Sequence, residues 1–236
     1  MRNLLVFFIG FISFSFNAAH ASVVMTGTRI IYPEQVKEKT IQLRNPDNQL
    51  YLVQLQVDDN ENVSSESLGS SSFIATPQIF RMEPNAGQSV RLQYIGSNLP
   101  QDRESIFYFS FSQLPILKKS EQTGNQLILA ITSRVKIFFR PKGIKGDSAD
   151  TAKSLVFKIS GGNVFVTNPT PYHAVIKNAS LNINGKTISL ADSVIVPPRA
   201  KVEWKSPSPI SSLSGGEVRL VVVNDYGVDT ITTVTL

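Results

Sequence analysis

Residues 126–141 read Gln-Leu-Ile-Leu-Ala-Ile-Thr-Ser-Arg-Val-Lys-Ile-Phe-Phe-Arg-Pro. Leu127, Leu129 and Ile131 fall on one parity, and Val135, Ile137 and Phe139 continue it. A period of two in β-branched and aromatic residues predicts a strand over 126–140. At about 3.3 Å per residue it would run about 45 Å, whereas strands commonly hold about 5–6 residues. The ordinary source of such alternation is a strand that builds its own half-buried sheet. The excess length adds a second reading, in which the apolar end is offered to something outside the domain. Arg134, Lys136 and Arg140 fall on the opposite face, toward the far end. One ribbon thus carries an apolar edge and a cationic end. The two readings are compatible, and other signs of peptide handling separate them.

The chain opens Met1-Arg2-Asn3, runs apolar over 4–16 and reaches the small-x-small site Ala19-His20-Ala21. A basic start, a short apolar run and such a site describe a secretory signal peptide over 1–21. The run is too short to span a bilayer, which takes about 20 residues, and no later run is long enough, so the chain is not expected to be membrane-embedded. The exported chain begins near Ser22. Loss of Arg2 takes the formal net charge from +5 to +4. The cations are scattered rather than clustered, which argues against nucleic acid as a partner and leaves room for a carboxylate-bearing one.

There are no cysteines, so an exported chain that could have used disulfides relies on packing. About 215 residues suffice for that. His20 leaves with the signal peptide, and His173 remains. Thiol chemistry is excluded, and a histidine triad or multi-histidine zinc site nearly so. His173 reads as a loop or strand-edge residue. No nucleophile elbow, phosphate loop or calcium loop occurs, and the acidic run from Asp58 to Glu61 lacks calcium-ligand spacing. The expectation is no enzyme, no catalytic residues, no metal and no cofactor.

Strands are predicted over 23–31, 40–44, 50–57, 78–82, 89–95, 106–111 and 126–140, separated by turn chemistry such as Asn45-Pro46-Asp47-Asn48 and Pro84-Asn85-Ala86-Gly87. About seven strands in roughly 120 residues predict an immunoglobulin-like sandwich over 22–141. Residues 142–152 are polar and glycine-containing and read as a linker. A second sandwich is predicted over 153–236, with strands over 155–160, 163–167, 173–183, 186–190, 200–204, 217–224 and 229–235. Asn184-Gly185 is a strong hairpin signal within it. The fold class is all-β, two such sandwiches at an angle with a cleft between them.

Several stretches carry a family resemblance: Gly27-Thr-Arg-Ile-Ile-Tyr-Pro33, Thr76-Pro77 with Phe80-Arg-Met-Glu-Pro84, Arg103-Glu-Ser-Ile-Phe-Tyr-Phe109, Val135-Lys-Ile-Phe-Phe-Arg-Pro141, Asn168-Pro-Thr-Pro-Tyr172 and Asn224-Asp-Tyr-Gly227. Each alone is weak. Six in order behind a signal peptide resemble the PapD-like periplasmic pilus-assembly chaperones over nearly all of the exported chain. The short, cysteine-free connection over 114–126 looks like that family's short-loop class, which serves rod-like pili.

The resemblance implies roles for particular residues. Arg29 and Lys136 would hold the C-terminal carboxylate of a pilus (fimbrial) subunit. Leu127, Leu129 and Ile131 would fill that subunit's open hydrophobic groove by donor-strand complementation. Glu104, Arg140 and Asp225 would form an interdomain ion network. The partners implied are subunits and an outer-membrane usher, in the periplasm. An exposed apolar edge is an aggregation hazard, so a self-capping homo-oligomer of the free protein is a further expectation. One rival is a fimbrial subunit or surface adhesin with immunoglobulin-like domains. It would need an alternating N-terminal donor extension, and Val23-Val24-Met25 is too short for one. Another is a secreted carbohydrate-binding or hydrolytic β-protein, which one Trp and no paired carboxylates disfavour.

Overall fold

The computed structural model describes residues 22–59, 72–117, 127–206, 209–210 and 212–236. The expected signal peptide over 1–21, Gln126 and most of the 114–126 connection lie outside these residues. The first sandwich has one sheet of β1 (Val24–Met25), β3 (Lys39–Arg44), β7 (Gly87–Tyr94) and β5 (Phe73–Thr76), in that spatial order. The facing sheet runs β2 (Arg29–Pro33), β9 (Ile131–Arg140), β8 (Ser105–Pro115), β4 (Tyr51–Asp58) and β6 (Ile79–Met82). Alternation builds it: in β4 every odd residue from Tyr51 to Val57 is buried and the intervening Leu52, Gln54 and Gln56 are exposed. Between the sheets lies an aromatic core. Tyr32 and Phe73 meet edge-on at 5.1 Å, Phe73 and Phe107 at 5.0 Å, and Tyr94 lies 4.7 Å from Phe139. Such pairs contribute about 0.5–1.5 kcal/mol each beyond their burial.

The single strand expected over 23–31 is two. β1 pairs with β3 in one sheet, whereas β2 pairs with β9 in the other. Gly27 stands between them at φ +93°, a backbone state that only glycine adopts without strain, and the chain changes sheets there. The strand over 73–76 was not among those expected.

The second sandwich stacks β10 (Val156–Ser160), β11 (Asn163–Thr167) and β14 (Lys201–Trp204) against β13 (Lys186–Val196), β12 (Ala174–Ile183), β15 (Glu217–Val223) and β16 (Asp229–Thr235). Its core is aliphatic, with Val164, Val166, Ile176, Leu181, Val218 and Leu220 closed by Trp204. β12 and β13 join through Asn184-Gly185, both at positive φ, as a primed hairpin turn requires. Each sandwich also buries an asparagine that precedes a proline. Asn45 Nδ2 donates to the carbonyls of Gln49 and Glu83, and Asn168 Nδ2 to those of Tyr172 and Val196. Between the sandwiches, residues 142–152 include a 3₁₀ turn at Ser148–Asp150, and Ala152 joins the second core. Among the described residues no helix is long and apolar enough to cross a membrane.

The reach of β9 decides what the molecule exposes. β9 pairs antiparallel with β8 from Ile131↔Gln113 to Phe139↔Ser105. On its other side it pairs in parallel with β2 only from Lys136↔Arg29 to Arg140↔Pro33. Over residues 131–135 that second edge has no strand beside it among the described residues. The strand itself is shorter than the sequence pattern suggests: it starts at Ile131, and residues 127–130 are not strand. The ladder register would set Leu129 opposite Pro115, which has no N–H to donate, so pairing with β8 ends.

Large-to-small changes in the two cores should be costly. Phe109→Ala is expected to lower unfolding free energy by about 3–5 kcal/mol and Leu220→Ala by about 2–5 kcal/mol, since both side chains are fully buried. Denaturant titration checks both, with Trp204, the chain's one tryptophan, reporting the second sandwich. Unchanged midpoints would contradict the assigned cores.

Candidate functional site

Residues opposite one another in a ladder share a face, so the sheet register places side chains directly. Arg29, Lys136, Tyr108 and Asp58 form one row across β2, β9, β8 and β4 on the outer face of the five-stranded sheet. Their neighbours Ile30, Ile137 and Phe107 point into the core. The two cations expected to act together are therefore adjacent. Arg29 Nη1 donates to the carbonyl of Val223 at 2.8 Å, and its guanidinium lies 5.7 Å from the Phe138 ring centroid. Arg29 Nε is buried with no acceptor among the described residues. Burial lowers the Arg29 pKa, with the charge of Asp225 acting in the opposite sense. Lys136 is half-buried and makes no ion pair among the described residues.

Beside this row, Arg134 lies across the Tyr108 ring, its guanidinium carbon 4.4 Å from the centroid, and pairs with Asp58. Burial pushes the Asp58 carboxyl pKa up. The Arg134 charge pulls it down and Asp59 adds to the rise.

At the other end of β9 the apolar residues stand in the open. Leu127 is 85% exposed, Leu129 62% and Ile131 47%, with Ile128 also exposed. Of the three expected groove-filling residues, only Ile131 lies within the strand. Leu127 and Leu129 precede it outside any strand, a correction to the continuous strand that the alternation suggested.

Glu104, Arg140 and Asp225 meet between the sandwiches. Arg140 reaches Glu104 Oε1 through Nε at 2.9 Å and Nη2 at 2.7 Å, and Asp225 through Nη1 at 2.9 Å and Nη2 at 3.2 Å. Ser148 Oγ donates to Asp225 at 2.9 Å. The Arg140 guanidinium also stacks over Tyr172, 5.0 Å from its centroid. Burial alone would raise the Asp225 pKa. Hydrogen bonds and charge from Arg140, the Ser148 donor and the charge of Arg29 outweigh it and hold the carboxyl below its ordinary value. Burial likewise opposes the Arg140 charge, and its two carboxylate partners more than compensate, so its pKa is raised.

Sequence reasoning left two members of this network out. His173 is almost completely buried: its backbone N–H donates to Glu104 Oε2 at 2.9 Å and its Nδ1 lies 3.3 Å from the same oxygen. Tyr172, next to it, carries the stacked Arg140 and donates its hydroxyl to the Gly146 carbonyl. The signal available was their place in the Asn-Pro-Thr-Pro-Tyr-His run, where Asn168 fixes the turn that presents both. A third tie is steric. The turn at residues 224–227 abuts Thr28, and a Cβ at Gly227, which has φ +79°, would lie 2.1 Å from Thr28 Oγ1. A pocket of about 270 Å³ opens between the sandwiches, lined by Arg29, Glu104, Phe138, His173, Asp225 and Thr230 among others.

Comparisons with known proteins agree over nearly all of the described chain. Residues 22–145 match the family model of the PapD N-terminal domain, pili and flagellar-assembly chaperone, and residues 150–233 that of the PapD C-terminal domain, pili assembly chaperone. The chaperone protein HifB of Haemophilus influenzae is 35% identical over 228 residues, which cover 95% of this chain and 90% of HifB. The probable fimbrial chaperone YadV of Escherichia coli K12 is 32% identical over 227 residues, covering 93% and 92%. Its crystal structure superposes with a TM-score of 0.77 at 30% identity, over 92% of this chain and 100% of that one. The SafB chaperone of Salmonella enterica, solved in complex with the SafA pilin, superposes with a TM-score of 0.73 at 27% identity, over 91% and 96%.

The ion network should be visible in stability. Arg140→Met leaves Glu104 charged and buried and is expected to cost about 3–5 kcal/mol. The Asp225 pKa is depressed in the fold, so its contribution is complete above the unfolded carboxylate value near ~3.9 and is lost as pH falls through the lower folded value. Denaturation of wild type and Asp225→Asn from pH 7 down to pH 3 should therefore show a stability gap that is constant above the unfolded carboxylate value and narrows at the acid end. A gap independent of pH would contradict this assignment.

Proposed function

The chain belongs to the PapD-like family of pilus-assembly chaperones and is not an enzyme, and on that footing we propose that it binds pilus subunits by lending them a strand and delivers them to an outer-membrane usher. Residues 1–21 act as a cleavable export signal, and the exported protein works in the periplasm. Residues 22–141 and 153–236 are its two domains, with 142–152 as the connection. The connection over 114–126 puts it in the short-loop class.

The observation that carries this reading is the half-paired edge of β9. Its parallel partner β2 begins at Arg29↔Lys136, which leaves residues 131–135 unpaired on that side among the described residues. An incoming strand laid along this edge meets two cations where β2 begins. Arg29 Nε and the Lys136 ammonium are donors without acceptors among the described residues, and the C-terminal carboxylate of a subunit supplies the acceptor. Charge-assisted hydrogen bonds of this kind contribute about 1.5–3 kcal/mol each. A carboxylate also offsets the burial that now lowers the Arg29 pKa. Leu127, Leu129 and Ile131 enter the open core of the subunit, at about 1.5–3 kcal/mol for each side chain fully buried. The apolar end thus supplies more of the affinity and the cations more of the alignment. Glu104, Arg140 and Asp225 set the angle between the domains and so the width of the cleft. Without a subunit, two copies of the chaperone cover each other's edge.

Arg29→Ala and Lys136→Ala should abolish co-purification of subunit while circular dichroism still shows the folded β-structure, and full recovery of subunit by the double variant would overturn the anchor. Leu129→Glu should weaken capture at least tenfold with the first sandwich still folded, because it places a charge in an apolar groove. Unchanged affinity would remove the groove-filling role. Sedimentation of the free protein should show self-association that Leu129→Glu diminishes.

A further inference from the structure

Asp58, Tyr108 and Arg134 stand in or beside the anchor row, and the reading above gives them no task. Lys136, Tyr108 and Asp58 are directly opposite one another on three successive strands. Neighbouring strands lie about 4.8 Å apart, so the backbones of Lys136 and Asp58 are about 10 Å apart with both side chains on one face. That gap is within reach of the four-carbon stem of a lysine. Asp58 is thus a resident competitor for the Lys136 ammonium. Because it is tethered to the same domain, its effective concentration is millimolar or above, far beyond that of a client in dilute solution. What occupies the gap is Arg134. It starts from the adjacent row, opposite Ser110, crosses the face of Tyr108 and pairs with Asp58, with both partners less than one-fifth exposed.

Resting on the anchor reading of Lys136, we propose that Arg134 is a positioning residue that keeps this ammonium available: it neutralises Asp58 and fills the path over Tyr108 through which Lys136 would reach it. The rest of the site follows the same plan. Asp225 also borders the cationic row, and Arg140 and Ser148 hold it. Asp58 and Asp225 are thus each paired with an arginine of β9, and Lys136 lies between those two arginines in sequence.

The test uses the exported chain and its variants R134Q, R134K, D58N, D58N/R134Q and K136A. Treatment with a water-soluble carbodiimide, followed by peptide mass spectrometry, reads direct Asp58–Lys136 contact as an isopeptide bond. R134Q should give this product, and the wild type and R134K should not. The second readout is affinity for a synthetic peptide of alternating apolar residues ending in a free carboxylate, relative to the same peptide ending in an amide. R134Q should lower that acid-over-amide preference roughly three- to fivefold, the size of one competing surface pair, and D58N/R134Q should restore it. A purely structural role for Arg134 predicts loss in both backgrounds. Absence of the 58–136 product in R134Q, or no recovery in the double variant, overturns the proposal. Should R134Q fail to fold, D58N serves: removing the competitor must not lower the preference, and a fall overturns the proposal. Failure of the anchor reading itself looks different, since K136A would then keep the full acid preference whatever the carbodiimide product shows.

Discussion

Five residue pairs of parallel ladder between β2 and β9 govern the rest of the molecule. The chain leaves one sheet at Gly27 and joins the other at Arg29, so β2 cannot begin earlier. That single switch has two consequences. It leaves residues 131–135 of β9 with no strand on one edge among the described residues, and it sets Arg29 beside Lys136 at the point where that pairing stops. Had residues 23–33 run as one strand, either the edge would be covered or the cation would lie elsewhere. The unpaired backbone and the cationic row are two outcomes of one topological choice.

Around that point charge is arranged by pairing rather than by accumulation. The chain carries a formal net charge of only +5, yet the row on the outer face holds Arg29 and Lys136, which form no salt bridge among the described residues. The reason is the distribution of the acids. Glu104 and Asp225 are committed to Arg140, and Asp58 to Arg134. Both arginines belong to β9, the strand that also bears Lys136. A buried ion pair is weak support for stability, because desolvation offsets much of the attraction. Here Arg140 bridges the two sandwiches, with Tyr172 stacked on it and His173 beside Glu104, while Arg134 pairs with Asp58 next to the cationic row.

Much of this was legible in the sequence because it obeys a local rule. Strand alternation marked most elements, Asn184-Gly185 marked its hairpin, and 229–235 was delimited to the residue. What the sequence hid is what depends on partners far along the chain. The alternation through residues 127–130 is as regular as that through 131–139, but a strand needs a neighbour, and the ladder to β8 ends where Pro115 would have to donate. The sheet change at Gly27 was invisible because the residues on both sides favour strands equally. β5 was missed because Phe73–Thr76 is short and follows a serine-rich stretch that reads as loop. Ionic partners could be matched only through the family resemblance. His173 escaped even that, since nothing local says that a buried glutamate 69 residues away will face it. In the sequence Arg134 is only part of the cationic end of the strand, and nothing local says that it will pair with an aspartate 76 residues away on another strand.

On the proposed function, the two ends of β9 answer a problem that neither could solve alone. An apolar strand of period two matches an apolar groove equally well after a slip of two residues, because the same face still points inward. Hydrophobic burial is non-directional and scarcely distinguishes the registers. A charge-assisted hydrogen bond to a chain terminus does distinguish them, since a polypeptide has one terminal carboxylate and a slip of two residues moves it about 6–7 Å, well beyond hydrogen-bonding distance. The anchor can do this only if its cations are not already satisfied by acids of the chaperone. On this reading, keeping Lys136 unpaired is what lets a degenerate apolar strand hold a client in one register.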